Sequence, residues 1–192
     1  FDEILAFPSS PQKKLKLYYS SDVIDIVQFG SSVVEGKIPN DIDIAVLFNK
    51  IPLKEQLNQS QEIKKQIEKF TEIPIHISSF DLYSLFESSN FAKEGLLFFG
   101  KSLVHGDDFA KRLGFTPKIQ IYYSLEKLKK KDKVRFNYML SGKGGIYGLL
   151  RKYKGELLKP GLIEIDSDCE NIFTESIKEF GIDFKIKRVL IG

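Results

Sequence analysis

Two short segments, a glycine-serine turn and a pair of aspartates, most constrain how this chain can fold. Residues 24–29 are mostly apolar and lead into Gly30, as a buried strand leads into a turn. The small polar residues Ser31 and Ser32 follow, and they suit a turn that opens a helix. Free backbone N–H groups at such a turn attract anions. The first segment therefore predicts a strand that ends at an anion-binding turn.

The second segment, residues 41–48, begins with two carboxylates. Nine residues separate Ser31 from Asp41, and alternation places Asp41 and Asp43 on one face of the second strand. Adjacent carboxylates are unfavourable without a cation. Mg²⁺ takes hard oxygen ligands, commonly one or two carboxylates plus substrate phosphates. The pattern predicts a magnesium site beside the turn; the alternative is an ordinary pair of strands with a solvated aspartate pair.

Together these segments resemble the signature of the nucleotidyltransferase superfamily related to DNA polymerase beta. That signature is a strand, Gly-Ser, a spacer of similar length and Asp-x-Asp on the next strand. The matching residues are Gly30, Ser31, Asp41 and Asp43, and the residues also familiar from the small members called minimal nucleotidyltransferases are Val33, Gly36 and Lys37. The resemblance implies an α+β fold, in which helices pack on one side of a mixed β-sheet.

The same resemblance implies an activity and its participants. A Mg²⁺-dependent enzyme of this kind transfers a nucleoside monophosphate from a nucleoside triphosphate to a hydroxyl of a protein, a small molecule or an RNA. The two aspartates would be the metal ligands. Gly30 would let the triphosphate approach closely, since it has no Cβ. Ser31 and Ser32 would hydrogen-bond phosphate oxygens, and Lys37 would add positive charge unless it is simply an exposed loop lysine.

One feature departs from the resemblance. Most catalytic members carry a third carboxylate on the third strand, and here that position is occupied by His76, within the alternating residues 73–78. A neutral imidazole can act as a general base, so His76 is either a catalytic residue or a polar residue on a half-exposed strand. Asp81 and Glu72 are substitutes for the third acid, and Asp81 also suits the cap of the next helix. A catalytically degenerate protein that binds nucleotide, RNA or a partner protein is the alternative function.

Hydrophobic periodicity predicts the remaining elements of a nucleotidyltransferase-like domain at residues 1–115. Residues 52–70 predict an amphipathic helix whose apolar face comprises Leu53, Leu57, Ile63, Ile67 and Phe70. Shorter helices are predicted at 81–88 and 91–99, and a helix that begins at Ser10-Pro11 precedes the first strand. The order is strand, short helix, strand, long helix, strand.

Residues 116–192 predict a small α+β C-terminal domain with a possible partner- or RNA-binding role. Strands are predicted at 119–123, 162–165 and 184–191, and a helix at 170–180. The glycine-rich residues 141–145 lack the spacing of a P-loop and predict a turn.

A basic run occurs within this C-terminal domain. Residues 127–135 carry six positive charges, and the residues after them fit either a strand or a helix that ends at Gly142, with the helix favoured. An RNA-binding surface is one interpretation, in which nearby aromatic residues stack bases: Tyr122, Tyr123, Phe136 and Tyr138. A solvated helix face is the other.

Composition excludes several classes of protein. With 192 residues, 42% of them apolar, the chain can build a substantial core. The 29 basic and 26 acidic side chains nearly balance, so net charge does not indicate nucleic acid. Cys169 is the one cysteine, and no apolar run approaches the ~20 residues that span a bilayer. We therefore expect a cytoplasmic protein with no membrane partner; its acceptor and oligomeric state stay open.

Overall fold

The computed structural model describes residues 15–33 and 39–192. The chain has the α+β composition predicted from the sequence, and it divides into two units, the first ending at Gly114 and the second spanning Phe115–Gly192. The predicted helix that begins at Ser10-Pro11 lies largely outside the described residues. Within the described part, no helix is long and apolar enough to cross a membrane.

A mixed four-stranded sheet forms the first unit. Its strands are β1 (Val23–Phe29), β2 (Ile42–Phe48), β3 (Ile75–Asp81) and the short β4 (Lys101–Ser102). They lie in the order β3-β2-β1-β4; β1 runs antiparallel to β2 and β4, and β2 runs parallel to β3. A 3₁₀ turn at Gly30–Val33 follows β1. The predicted order of strands and helices along the chain is confirmed.

Helix α1 (Leu53–Ile67) connects β2 to β3 and packs on one face of the sheet. Its buried face comprises Gln56, Ser60, Ile63 and Ile67. The predicted inward positions Leu53 and Leu57 are wrong, because these side chains are 65% and 50% exposed. The polar residues of the buried face form hydrogen bonds. The Ser60 hydroxyl bonds the Ser79 hydroxyl on β3 at 2.8 Å, and Gln56 Nε2 donates to the Ile51 carbonyl at 3.0 Å.

The opposite face of the sheet is also covered. Val27, Ala45 and Leu47 point to that face and are fully buried. Three helices occupy this part of the unit, α2 (Leu82–Phe86), α3 (Ala92–Phe99) and α4 (Phe109–Arg112). A Cβ added at Gly100, directly after α3, would lie only 2.8 Å from Val27 Cγ1. Helices therefore lie on both faces rather than on one, which suits strands that are apolar on both sides.

The second unit is an antiparallel sheet with helices on one face. Its strands are β5 (Thr116–Tyr123), β8 (Glu156–Lys159), β9 (Leu162–Asp166) and β10 (Phe184–Ile191), in the order β10-β5-β9-β8. The helices are α5 (Lys130–Ser141), α6 (Leu149–Lys152) and α7 (Glu170–Lys178). Ile119, Ile121 and Ile163 pack against Phe136 and Phe173 in its core.

A small hairpin joins α5 to α6. Its strands are β6 (Gly142–Lys143) and β7 (Ile146–Tyr147). Gly142, Gly144 and Gly145 all have positive φ, 87°, 60° and 86°, a region that glycine enters without steric cost. The predicted helix ending at Gly142 and the predicted glycine turn are both confirmed. Strand β8 was not predicted, because all four of its residues are exposed and give no apolar alternation.

Candidate functional site

The glycine turn and the aspartates meet through the pairing of β1 with β2. Phe29, the last residue of β1, pairs with Asp43 near the start of β2, so the following turn lies beside that carboxylate. Gly30 has φ +73°, and a Cβ placed there would collide with the Asp43 carboxylate oxygen. The positive φ favours glycine at this position, and a larger residue would also force the Asp43 carboxylate to move.

His76 joins the aspartates through the parallel pairing of β2 with β3. Asp43 pairs with His76, so the two side chains point to the same face of the sheet. The imidazole Nδ1 lies 3.3 Å from Asp41 Oδ2 and 3.8 Å from Asp43 Oδ1. These side chains keep solvent access, with exposed fractions of 37% for Asp41, 33% for Asp43 and 67% for His76. The result is an open cluster of two carboxylates and one imidazole at a strand end.

The surroundings of Asp43 disfavour the charged form of its carboxyl group. Partial burial raises the pKa of Asp43 above its ordinary value, the neighbouring Asp41 charge raises it further, and His76 opposes both effects. Such an arrangement is unfavourable for a carboxylate unless a positive charge compensates. The cluster therefore has the electrostatics of a cation-binding site.

Inside the turn, Ser31 and Ser32 are placed differently. The Ser32 side chain is buried, its hydroxyl donates to the Phe29 carbonyl at 3.0 Å and accepts from Gln28 Nε2 at 3.1 Å. Ser31 is exposed and its hydroxyl forms no hydrogen bond with a described residue. Of the two predicted phosphate-contacting hydroxyls, only that of Ser31 is available without breaking the turn.

Gln28 is a residue that sequence reasoning missed. It is buried in β1, and its Nε2 also donates to the Ser32 carbonyl at 3.3 Å. It therefore holds the turn beside Asp43 from within the sheet. A signal was present, since Gln28 is the polar residue next to Ile26 and Val27 near the end of an otherwise apolar strand.

Of the two substitutes proposed for a third acid, Asp81 lies at the opposite end of β3 from His76. Asp81 is at the other end of β3, paired with Phe48, and its Oδ1 accepts from the Ser84 backbone N–H at 2.7 Å. That hydrogen bond lowers the pKa of Asp81 and makes it the N-cap of α2. Glu72 is exposed in the loop before β3. Asp81 as a third site acid is therefore wrong, and its alternative role as a cap is confirmed.

The cluster supplies two of the ligands that a metal ion would need. Among residues 15–33 and 39–192, no group of three or more histidine, cysteine, aspartate or glutamate side chains is arranged to hold a metal ion. Asp41 and Asp43 supply two hard oxygen ligands, and Mg²⁺ commonly completes its coordination with substrate phosphates and water. The predicted phosphate-binding Lys37 lies outside the described residues.

Comparison of the chain with protein-family models, with curated proteins and with solved structures finds no match. The assignment of a function therefore depends on the geometry of this cluster.

Proposed function

We propose that this protein is a Mg²⁺-dependent nucleotidyltransferase whose site is formed by Gly30, Ser31, Asp41, Asp43 and His76. One observation carries the proposal: a glycine with positive φ lies directly against one of two adjacent, solvent-accessible carboxylates. That contact joins a phosphate-type turn to a metal-type carboxylate pair, and nucleotidyl transfer needs both. The resemblance to the nucleotidyltransferase superfamily supports the same function.

The turn and the carboxylates have distinct roles in this proposal. The backbone N–H groups of the turn and the hydroxyl of the exposed Ser31 would bind the β- and γ-phosphates. Asp41 and Asp43 would hold Mg²⁺, which would supply charge neutralisation on the triphosphate and activation of the acceptor oxygen. Gln28 and Ser32 keep the turn in place. Positioning of this kind is the main contribution of a protein to phosphoryl and nucleotidyl transfer.

His76 is the proposed general base. Its ring lies on the same face as the aspartates, and its exposed fraction of 67% leaves it open to an acceptor hydroxyl. An imidazole that has lost its proton can accept the proton of that hydroxyl as the oxygen attacks the α-phosphorus and pyrophosphate leaves. Its proximity to the carboxylates orients the ring toward the reacting groups.

A second function is supported by a specific observation. Among residues 15–33 and 39–192, no third carboxylate is found in the cluster, and neither Asp81 nor an equivalent residue of β3 supplies one. A protein that binds Mg²⁺-nucleotide without transferring it, and that signals nucleotide occupancy to a partner, would retain the same turn and aspartates.

The deciding experiment incubates the full chain and a cell extract with each α-³²P-labelled nucleoside triphosphate and Mg²⁺ or Mn²⁺. We expect label on one protein, RNA or small molecule, and its loss with the Asp41→Asn, Asp43→Asn double variant. Binding of a fluorescent nucleotide is measured in parallel. Binding without transfer supports the second function, whereas neither binding nor transfer rejects both.

A further inference from the structure

The second unit concentrates positive charge in one continuous stretch of chain. Residues 127–154 carry ten basic side chains and one acidic side chain, a net charge of +9. The whole chain has a net charge of +3, so the remaining residues have a net charge of −6. The near balance of the whole chain therefore conceals a strongly basic segment, which comprises α5, the β6–β7 hairpin and α6.

Side chains on one exposed stripe of α5 lead toward the hairpin. Lys131, Arg135 and Tyr138 follow at i, i+4 and i+7, which places them on the same side of the helix. All three are exposed. Lys131 forms no ion pair with a described residue, and Arg135 contacts only Asp132 of its own helix, at 3.4 Å. The stripe therefore carries one cation, Lys131, with no ion-pair partner among the described residues, and a second, Arg135, paired only within its own helix.

Two exposed tyrosines next to this stripe each have a cation over the ring. Lys143 Nζ lies 4.5 Å from the Tyr138 ring centroid, and Arg151 Cζ lies 4.0 Å from the Tyr147 ring centroid. The tyrosines remain 42% and 61% exposed. Each pair therefore combines an exposed aromatic ring with a positive charge on one of its faces.

We propose that this surface, formed by Lys131, Arg135, Tyr138, Lys143, Tyr147 and Arg151 and here named the α5–hairpin surface, binds single-stranded nucleic acid. A base stacks on an aromatic ring while its phosphate lies against a neighbouring cation, and these two pairs provide both contacts at once. A single strand is favoured over a duplex because its bases are free to leave one another and stack on protein. The proposal does not rest on the nucleotidyltransferase assignment.

Other ligands fit this surface less well. Insertion into a membrane needs a broad apolar face, whereas the hairpin tip is Gly144-Gly145 beside one large exposed apolar residue, Ile146. An acidic protein would use the cations but would not need the two open tyrosine rings.

The residues differ from those that the sequence predicted for RNA binding. Phe136 is fully buried, and Tyr123 packs against it with ring centroids 5.2 Å apart, so neither can stack a base. Tyr122 lies on β5, where its hydroxyl donates to Gln120. Of the four predicted aromatic residues only Tyr138 belongs to the proposed surface. Tyr147 joins it because the glycine hairpin folds the chain back beside α5.

The test measures binding of the full chain to fluorescently labelled 12-nucleotide single strands by anisotropy. RNA and DNA of the same mixed sequence distinguish the two sources of single strand, and the matching duplexes serve as competitors. We expect Tyr138→Ala with Tyr147→Ala to weaken single-strand binding tenfold or more, since stacking contributes about 5- to 150-fold per base. Tyr138→Phe with Tyr147→Phe should retain binding, because the rings remain. Tyr122→Ala is the matched control and should change little.

The charge is tested separately. Lys131→Gln with Arg135→Gln should reduce the slope of log affinity against log salt by about 1.4, since each phosphate contact to a single strand contributes about 0.7. The control, Lys185→Gln with Lys187→Gln, removes the same charge from exposed positions of β10. The Asp41→Asn, Asp43→Asn variant should bind the strand as tightly as the natural chain, which separates this proposal from the first.

Three results would overturn the inference. The first is absence of single-strand binding at low salt. The second is equal weakening of binding by the surface variants and the control variants. The third is binding to duplex, heparin or phosphatidylserine vesicles that is as tight as single-strand binding or tighter and that the tyrosine substitutions do not change. Circular dichroism on each variant excludes loss of fold, which is not expected because the substituted side chains are exposed.

Discussion

The two four-stranded sheets of this molecule differ in how their charged side chains are arranged. On the face of the second sheet that its helices do not cover, side chains of opposite charge or with complementary hydrogen-bonding groups pair across strands. Lys118 Nζ bonds Asp166 at 2.6 Å, and Gln120 bonds Glu164 at 2.9 Å. At one end of the first sheet, Asp41 and Asp43 lie together beside a single imidazole. Cross-strand pairing of the first kind gives each polar side chain a partner. Like charges side by side lower stability unless a ligand offsets their repulsion.

Two further carboxyl groups, one in each unit, also differ in whether their surroundings favour the charged form. In the first unit, burial raises the pKa of Asp25, which is 2% exposed and has no hydrogen-bond partner for its Oδ2. In the second unit, the Lys127 ammonium lowers the pKa of Asp183. Asp25 and Asp43 of the first unit therefore lie in surroundings that disfavour their charge. Asp183 of the second unit lies in surroundings that favour its charge.

The largest expected effect comes from the double variant Asp41→Asn, Asp43→Asn. Affinity for Mg²⁺-triphosphate should fall at least 100-fold, because both hard oxygen ligands lose their charge. The free energy of unfolding should stay equal or rise, because like-charge repulsion is removed. Isothermal titration calorimetry and urea denaturation measure the two quantities.

The matched control for this variant is Glu164→Gln with Asp166→Asn on the second sheet. It should lower the free energy of unfolding by up to ~1 kcal/mol, because pairs that keep partial solvent contact contribute little, and leave nucleotide binding unchanged. Unaltered Mg²⁺-nucleotide affinity in the Asp41, Asp43 variant would remove the basis of the contrast between the sheets.

The next effect concerns His76. His76→Ala should lower the rate of nucleotidyl transfer about 10²- to 10⁴-fold while changing nucleotide affinity much less, since a general base acts in the transition state. His76→Asp should retain activity. Single-turnover kinetics separate these quantities.

Ser78→Ala is the control for His76, because Ser78 is exposed two residues further along the same face of β3. A transfer rate that His76→Ala leaves untouched would assign the cluster to binding alone.

A smaller effect separates the two functions of Gly30. Gly30→Ala and Gly114→Ala both force alanine into positive φ, at +73° and +82°, but only Gly30 has a side chain against its missing Cβ. Each variant should lose about 1–2 kcal/mol of unfolding free energy from the backbone conformation. Gly30→Ala should lose more, and its triphosphate affinity should also fall, because the Asp43 carboxylate must move.

Denaturation and nucleotide titration of the two alanine variants give the comparison. Equal losses, with nucleotide affinity intact, would show that the contact between Gly30 and Asp43 has no functional consequence.

The smallest effect is the pH dependence produced by Asp25. Its raised pKa means that the folded state holds this proton more tightly than the unfolded state. The free energy of unfolding should therefore fall as pH rises from the ordinary value of 3.8 to the raised value, by about 1.4 kcal/mol per unit of difference. Asp25→Asn should remove that fall.

Urea denaturation between about pH 4 and 7 measures the slope, and Asp22→Asn, three residues earlier and partly exposed, is the control. Identical slopes of unfolding free energy against pH for the natural chain and Asp25→Asn would mean that folding does not raise the pKa of Asp25.

Local sequence determined much of this protein. The apolar runs at β1 and β2, the glycine between them, the helix before Gly142 and the glycine turn after it all follow from residue types within a few positions of one another. Those choices depend on backbone conformation and side-chain periodicity, which are local properties. For the same reason the sequence could identify Asp41 and Asp43 as neighbours on one face of a strand.

Tertiary structure decided the rest, because it depends on register and on packing between distant segments. The pairing of Asp43 with Phe29 and with His76 brings three separate strands to one cluster. Packing turned α1 so that Leu53 and Leu57 face solvent, and placed Phe136 in the core while Tyr147 remained exposed. The sequence lists the residues that can bind metal, phosphate or base; only long-range pairing determines which of them lie together and which are buried.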